Sequence, residues 1–183
     1  MNEMKKTSRN RFTRMCIGEA VIALMSEKKF DDIKISDIVA KAGVSRMTYY
    51  HYYDSKTDIL RDYLQEIVAT YLKKVGVIRA SKRKYTKKDT GAFQSYTHIL
   101  HSLLFFDQYA SFFLTLTEAG LYSIIIDAIN DFMVTQIMPT YPGSAYELYY
   151  YSGALLNIFI QWERDGKKES AEEIAKIISS FVS

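Results

Sequence analysis

Arg46 is the side chain whose type and setting point most directly to chemistry, in the run Val44-Ser45-Arg46-Met47-Thr48-Tyr49-Tyr50-His51-Tyr52. A guanidinium presents a fork of N–H donors that matches guanine O6 and N7 in a DNA major groove. Ser45, Thr48, Tyr49 and Tyr52 follow at spacings of about three or four. A helix buried on all sides would not carry so many hydroxyls beside an arginine. These groups suit phosphates and thymine methyls. They need a helix about the size of the groove, held by a second one, and the sequence supplies both. A short helix near Ser36–Lys41 is followed by Ala42-Gly43-Val44, where glycine suits a left-handed helix end. Ser45 then caps a helix over Arg46–Tyr52. Two short helices in this order form a helix-turn-helix whose second member enters the groove.

Other chemistry is thinly represented. His98 and His101 are one helical turn apart, but no third ligand stands at convincing spacing, so no metal and no cofactor are expected. Cys16, the single cysteine, excludes an internal disulfide framework and suits a reducing cytoplasm. No nucleophile–base pair, paired-carboxylate motif or phosphate-cradling glycine loop appears, and an enzyme is not expected. Aromatic residues Phe93, Tyr96, Phe105, Phe106, Tyr109, Phe112, Phe113, Tyr122 and Trp162 together make an apolar ligand pocket plausible, although such spacing also suits plain core.

Helices carry these residues throughout. Ile17, Ala20, Val21, Leu24 and Met25 make one apolar face of a helix from about Arg9 to Lys28. Ser55-x-x-Asp58 is a capping box opening a longer helix with Ile59, Leu60, Tyr63, Leu64, Ile67 and Tyr71 on one face. Further helical faces recur from Phe93 to Phe132, a loop spans Pro139–Gly143, and two helices close the chain. The first offers Leu148, Tyr151, Ser152, Leu155, Phe159 and Trp162, with Ser152, Gly153 and Ala154 small enough for close helix approach. Ile174, Ile177, Ile178 and Phe181 lie on the second. Tyr151, Leu155, Phe159, Ile174, Ile177 and Phe181 are therefore expected at a two-fold dimer interface, and a dyad suits palindromic DNA.

Composition agrees with this plan. Of 183 residues 48% are apolar and only two are proline, which suits a packed helical protein and excludes collagen-like or low-complexity classes. No apolar run reaches membrane-spanning length, and the polar start is unlike a signal peptide; a cytoplasmic protein without a membrane partner is expected. The net charge of +3 conceals an asymmetry: residues 1–90 carry 20 Lys+Arg against 11 Asp+Glu, and residues 91–183 carry 4 against 10. Most of the excess lies in 67–90, with eight basic residues and one acid. That run suits long-range steering toward a polyanion more than base reading.

Residues 35–60 resemble the TetR family of bacterial transcriptional regulators, through Ile38, Ala42-Gly43-Val44-Ser45, Tyr50, Tyr53 and Lys56. The resemblance implies that Arg46, Met47, Thr48 and His51 face bases or flanking phosphates, and that Tyr50 contacts the backbone. It places Tyr53 beneath the recognition helix. Lys56, at the first turn of the fourth helix, would hold a phosphate together with the helix N-terminus. Tyr49 replaces the family's usual leucine and is either core or contact. Lys34 stands where the family often has a capping threonine, so the cap and its contact are assigned to Ser36. The last two helices also resemble those of dihydroxyacetone-kinase-operon regulators.

The expected protein is all-α. Residues 1–54 form the helix-turn-helix domain, and 55–183 a larger helical domain for effector binding and dimerisation. The expected function is a TetR-type regulator, more readily a repressor, that binds a palindromic double-stranded DNA operator as a homodimer and is released by a small-molecule effector. The alternative is an interaction module whose C-terminal domain binds a protein partner instead.

Overall fold

A computed structural model of the chain describes residues 2–75 and 94–181. The basic run beyond Val75 and the expected pocket residue Phe93 lie outside the described residues. Among them the regular structure is helical: α1 (Asn2–Met25), α2 (Ile35–Ala42), α3 (Arg46–Tyr52), α4 (Lys56–Val75), α5 (Tyr96–Asp107), α6 (Ala110–Glu118), α7 (Tyr122–Phe132), α8 (Ala145–Arg164) and α9 (Ala171–Phe181). The all-α expectation is met. α1 starts seven residues earlier than its apolar face implied, because its first turns are polar and carry no periodic signal.

Local chemistry sets the boundaries of the short helices. α2 begins at Ile35, with Lys34 rather than Ser36 at the N-cap. Asp37 accepts from the Lys34 backbone N–H at 3.0 Å, so an acid three residues in substitutes for a serine cap. The Asp37 carboxyl is held below the ordinary aspartate range by its bond from Lys28 and then by the Lys34 N–H. Gly43 ends α2 at φ 66°, while the Val44 N–H returns to the Val39 carbonyl at 3.0 Å. Ser45 Oγ accepts from the Thr48 N–H at 3.0 Å and starts α3. The capping box at α4 is present as expected: the Ser55 N–H donates to Asp58 at 2.9 Å and the Asp58 N–H to Ser55 Oγ at 3.2 Å.

α1 packs on both α2 and α4, burying Ile17, Val21 and Leu24 against Ile38, Ile59 and Leu60. At the α1–α4 crossing Gly18 lies directly on Tyr63, and a Cβ at position 18 would strike the ring at Cδ2 and Cγ. α4 then continues onto α5 and α7, and so joins the helix-turn-helix to the rest of the protein. Behind it α8 packs on α5, α6 and α7, while α9 packs on α5. The interior there is aromatic: Phe113 meets Phe106 and Phe159 edge-on at 5.5 Å each. The turn from α8 to α9 passes through Gly166 (φ 75°) and Lys167 (φ 55°). It is pinned by the Trp162 indole N–H on the Glu169 carbonyl at 2.8 Å, and by Lys167 paired with Asp107 and Glu163.

Tyr49 sits fully buried under α3, and its hydroxyl has no hydrogen-bond partner among the described residues. Burial also pushes the phenol pKa above its ordinary value. Leaving a buried hydroxyl unpaired costs on the order of 1–3 kcal/mol. Tyr49→Phe is therefore expected to raise stability by about 1 kcal/mol, read as an increased Tm. A fall of that size would show that the hydroxyl is bonded in solution.

Candidate nucleic-acid interface and C-terminal cavity

α3 is amphipathic over only seven residues. Tyr49 points into the core and anchors it, with Tyr50 edge-on at 5.3 Å and Tyr53 at 6.1 Å. Tyr49 is thus core, which corrects its inclusion among the contact residues: its ring is fully buried beneath α3. The outer face carries Ser45, Arg46, Met47, Tyr50 and His51, all exposed, with Met47 at 82% and Tyr50 at 60%. Arg46 and Tyr50, like Met47 and His51, are four apart and form two adjacent rows. Apolar surface of that extent beside an arginine suits a groove bearing thymine methyls. Thr48 is half-buried, and its hydroxyl lies 2.9 Å from Ser45 Oγ within the cap. Ser36, in the first turn of α2, is half-buried and does not cap it.

Lys56 departs from expectation more sharply. Its ammonium donates to the carbonyls of Phe30 at 2.7 Å, Asp31 at 3.2 Å and Ile33 at 2.9 Å, and lies 4.8 Å from the Phe30 ring centroid. Its hydrogen bonds run to the loop before α2, so in the DNA-free protein the ammonium acts as a structural clamp. The cause is the short helical turn Phe30–Asp32, which turns several carbonyls toward one point.

A charge network missing from the sequence expectations ties this unit together. Arg14 pairs with Asp62 and, at 2.8 Å, with Glu66; Arg11 pairs with Glu66 at 2.6 Å. The Tyr53 hydroxyl donates to the other Asp62 oxygen at 2.6 Å, and Tyr52 donates to Asn10 at 3.1 Å. Burial and the Asp62 bond push the Tyr53 phenol far above its ordinary pKa. Complementary spacing was the available signal: two arginines three apart on α1 and two acids four apart on α4.

In the C-terminal helices a groove of about 340 Å³ opens between α8 and α9 over the start of α5. It adjoins an inner chamber of about 70 Å³, with His98, Met133, Ser152 and Leu155 common to both. Of the described aromatics expected to line a pocket, Phe106 alone borders these spaces, at the inner chamber. Phe105, Phe112, Phe113 and Trp162 are core, Tyr96 is exposed, and Tyr122 packs half-buried against the core. Tyr109 and Phe112 border a different groove, between α1, α4 and α6. Their rings pack mainly on one another, whereas space remains where aliphatic residues of α8 and α9 face each other. In the small stretch Ser152-Gly153-Ala154, buried Ser152 donates to Asn130 of α7 at 3.4 Å, whereas a Cβ on Gly153 would meet no described residue within 4 Å.

The residues expected at a dimer interface divide. Phe159 is 1% exposed and belongs to the core, a correction that follows from its packing on Phe113. Tyr151, Leu155, Ile174, Ile177 and Phe181 border the groove, and of these Ile177 and Phe181 are exposed on its rim with Tyr150.

His98 lies where groove and chamber meet, 3.4 Å from the Tyr71 hydroxyl, which in turn is 2.6 Å from Ser102 Oγ. Burial, and secondarily the neighbouring His101, push the His98 pKa down from 6.5 to about 4. His101 is exposed, and among the described residues no three His, Cys, Asp or Glu side chains converge on a metal-sized site. No single helix there is long and apolar enough to cross a membrane.

Two outcomes follow. Lys56→Ala is expected to lower stability by about 2 kcal/mol in denaturant unfolding while leaving the salt slope of DNA binding unchanged. A slope flatter by about 0.9 would restore the phosphate contact. For His98, the folded chain keeps the imidazole neutral while the unfolded chain protonates it below pH 6.5, so its contribution is lost as pH falls from 6.5 toward 4. The Tm of His98→Gln should therefore decline less between pH 7 and pH 4.5 than that of the parent; parallel declines would show an imidazole that titrates normally.

Comparison with known proteins bears on the same elements. Residues 17–63 match the family model for bacterial regulatory proteins of the tetR family. Over 172 residues the chain is 24% identical to the uncharacterized HTH-type transcriptional regulator YxbF of Bacillus subtilis (strain 168). That match covers 91% of this chain and 44% of YxbF, so the chain spans less than half of that relative's length. The solved structure of the fatty acid degradation regulator FadR from Bacillus halodurans shares the fold, with a TM-score of 0.52 at 18% identity, covering 91% of this chain and 92% of FadR. The part of the chain that is similar to the tetR family of bacterial regulatory proteins is thus residues 17–63, which hold α2, α3 and the adjoining parts of α1 and α4.

Proposed function

We propose that the protein is a transcriptional regulator, more readily a repressor, which binds a palindromic operator as a homodimer and is released when a small molecule occupies its C-terminal helices. The observation that carries this reading is the outer face of α3. Arg46, Met47, Tyr50 and His51 are exposed together on a capped helix whose opposite side is anchored by Tyr49. In this reading residues 1–54 contact DNA, with Arg46 on a guanine and Tyr50 and Ser45 near phosphates. Residues 55–183 bind the effector and the second subunit. Ile177 and Phe181, exposed on α9, and Tyr150, exposed on α8, supply apolar surface for a two-fold contact. α4 is the natural transmitter, since it packs on α1 at one end and on α5 and α7 beyond. A ligand that favours one tilt of α4 changes the spacing of two recognition helices, and DNA affinity follows by population shift. The groove and chamber favour a small molecule over a protein partner as the signal, because the two adjoin as one concave, largely apolar space.

The test is binding to the promoter beside the protein's own gene, compared with random duplex across a salt titration. Preference for the promoter at physiological salt is expected; equal affinity for both would overturn the proposal. Arg46→Ala should cost about 1–3 kcal/mol on the promoter and relax base preference at one position per half-site. Equal loss on promoter and random DNA would make Arg46 a backbone contact.

A further inference from the structure

The groove and chamber have a chemical character that narrows what they hold. No Lys, Arg, Asp or Glu is among the described residues lining either space. The outer groove is walled by Leu155, Ile158, Ile174 and Ile178, and the inner chamber is floored by Val68, Phe106 and Phe159. Polar atoms gather at their junction. The Tyr71 hydroxyl is 2.6 Å from Ser102 Oγ and 3.4 Å from His98 Nε2, and Ser102 Oγ donates to the His98 carbonyl at 2.8 Å. These groups form a neutral hydrogen-bonding cluster inside an apolar space.

An ion entering such a space loses its hydration without gaining a counter-charge from the lining, which is strongly unfavourable. A hydroxyl, ketone, ester or amide loses far less and can exchange hydrogen bonds with the set that Tyr71, Ser102 and His98 make among themselves. The dimensions fit a divided ligand. The inner chamber suits a small polar head, and the outer groove is in the range that holds the body of a small molecule. A protein segment is a poorer occupant, because the polar cluster lies at the inner end, behind the aliphatic walls of α8 and α9.

Resting on the regulator reading above, we infer that this cavity binds an uncharged amphiphile, its polar head on Tyr71, Ser102 and His98 and its apolar body between α8 and α9. Tyr71 lies on α4, nine residues beyond Asp62, so the head touches the same helix that Arg14 and Tyr53 hold at its other end. About two and a half helical turns separate the two contacts. Neutral head-group binding is thereby placed directly on the transmitting helix.

The experiment compares decanol, methyl decanoate, decanoate and decylammonium by calorimetric titration and by thermal shift, at pH 7.5 and with the full chain. Decanol and methyl decanoate are expected to bind at least tenfold more tightly than either ion and to raise Tm. Tyr71→Phe with Ser102→Ala should reduce that preference to less than threefold, while the melting transition of the double variant shows that it still folds. Decanoate or decylammonium binding as tightly as decanol would overturn the inference, as would no binding of any of the four. Binding that weakens as self-association increases would also overturn it, by showing that a second copy fills the groove. Promoter preference of the unliganded protein, measured in parallel, separates the two readings. If it persists while the neutral ligands fail, the ligand class is wrong and the regulator stands; if it is absent, the regulator reading is the one that falls.

Discussion

The position of α3 turns on a carboxylate of α4. Asp62, on α4, receives the Arg14 guanidinium from α1 on one oxygen and the Tyr53 hydroxyl on the other. Glu66, one turn further on, accepts from both Arg14 and Arg11. These acids are only partly exposed, and without the arginines two carboxylates one turn apart on α4 would lie together in a partly desolvated seam. The seam therefore does more than hold two helices together. It fixes the residue that ends α3 to the middle of α4, so α1, α3 and α4 are constrained to move as a unit. The apolar packing of Ile17, Val21, Ile59 and Leu60 supplies cohesion there, while the ion pairs set the register.

Lys56 and Tyr49 show how an exposed surface is prepared from behind. Lys56 satisfies three carbonyls in the loop that leads into α2, and Tyr49 fills the space beneath α3. Together they allow a helix of seven residues, too short to be stable alone, to present Arg46 and its neighbours in one orientation. Preorganisation of this kind lowers the ordering cost of binding. The hydroxyl stranded beneath α3 is the visible cost of using tyrosine for that purpose.

The helix-turn-helix was legible in the sequence because its determinants are local: Gly43 for a left-handed end, Ser45 for a cap, Ser55 and Asp58 for a capping box. The start of α2 was read one residue late, since an aspartate at the third helical position looks like any surface acid until its bond to the Lys34 N–H is seen. The carbonyl contacts of Lys56 were hidden for a different reason. A lysine at a helix start is equally suited to a phosphate or to three carbonyls, and only the fold of residues 30–33, distant in sequence, decides between them. The aromatic residues of α5 and α6 illustrate a third limit. Periodicity shows which residues turn inward, but it does not show where facing surfaces fail to fill the space between them. The space here lies among isoleucines and leucines of α8 and α9, whose spacing reads equally well as a helix–helix seam.

Gly18 brings these elements to one point. Its missing side chain lets α1 lie against Tyr63, and the ring atoms it meets are those nearest the α4 backbone, so relief by a side-chain swing is small. Every other amino acid adds at least a methyl-sized group there and separates two helices that the ion pairs hold in register. In mutational terms, the chain has least freedom to drift at a place that touches neither the groove-facing surface nor the cavity. A change of one residue type at that crossing alters the geometry of both ends at once, which makes position 18 a site where the coupling between them, rather than either function alone, is open to inheritance and selection.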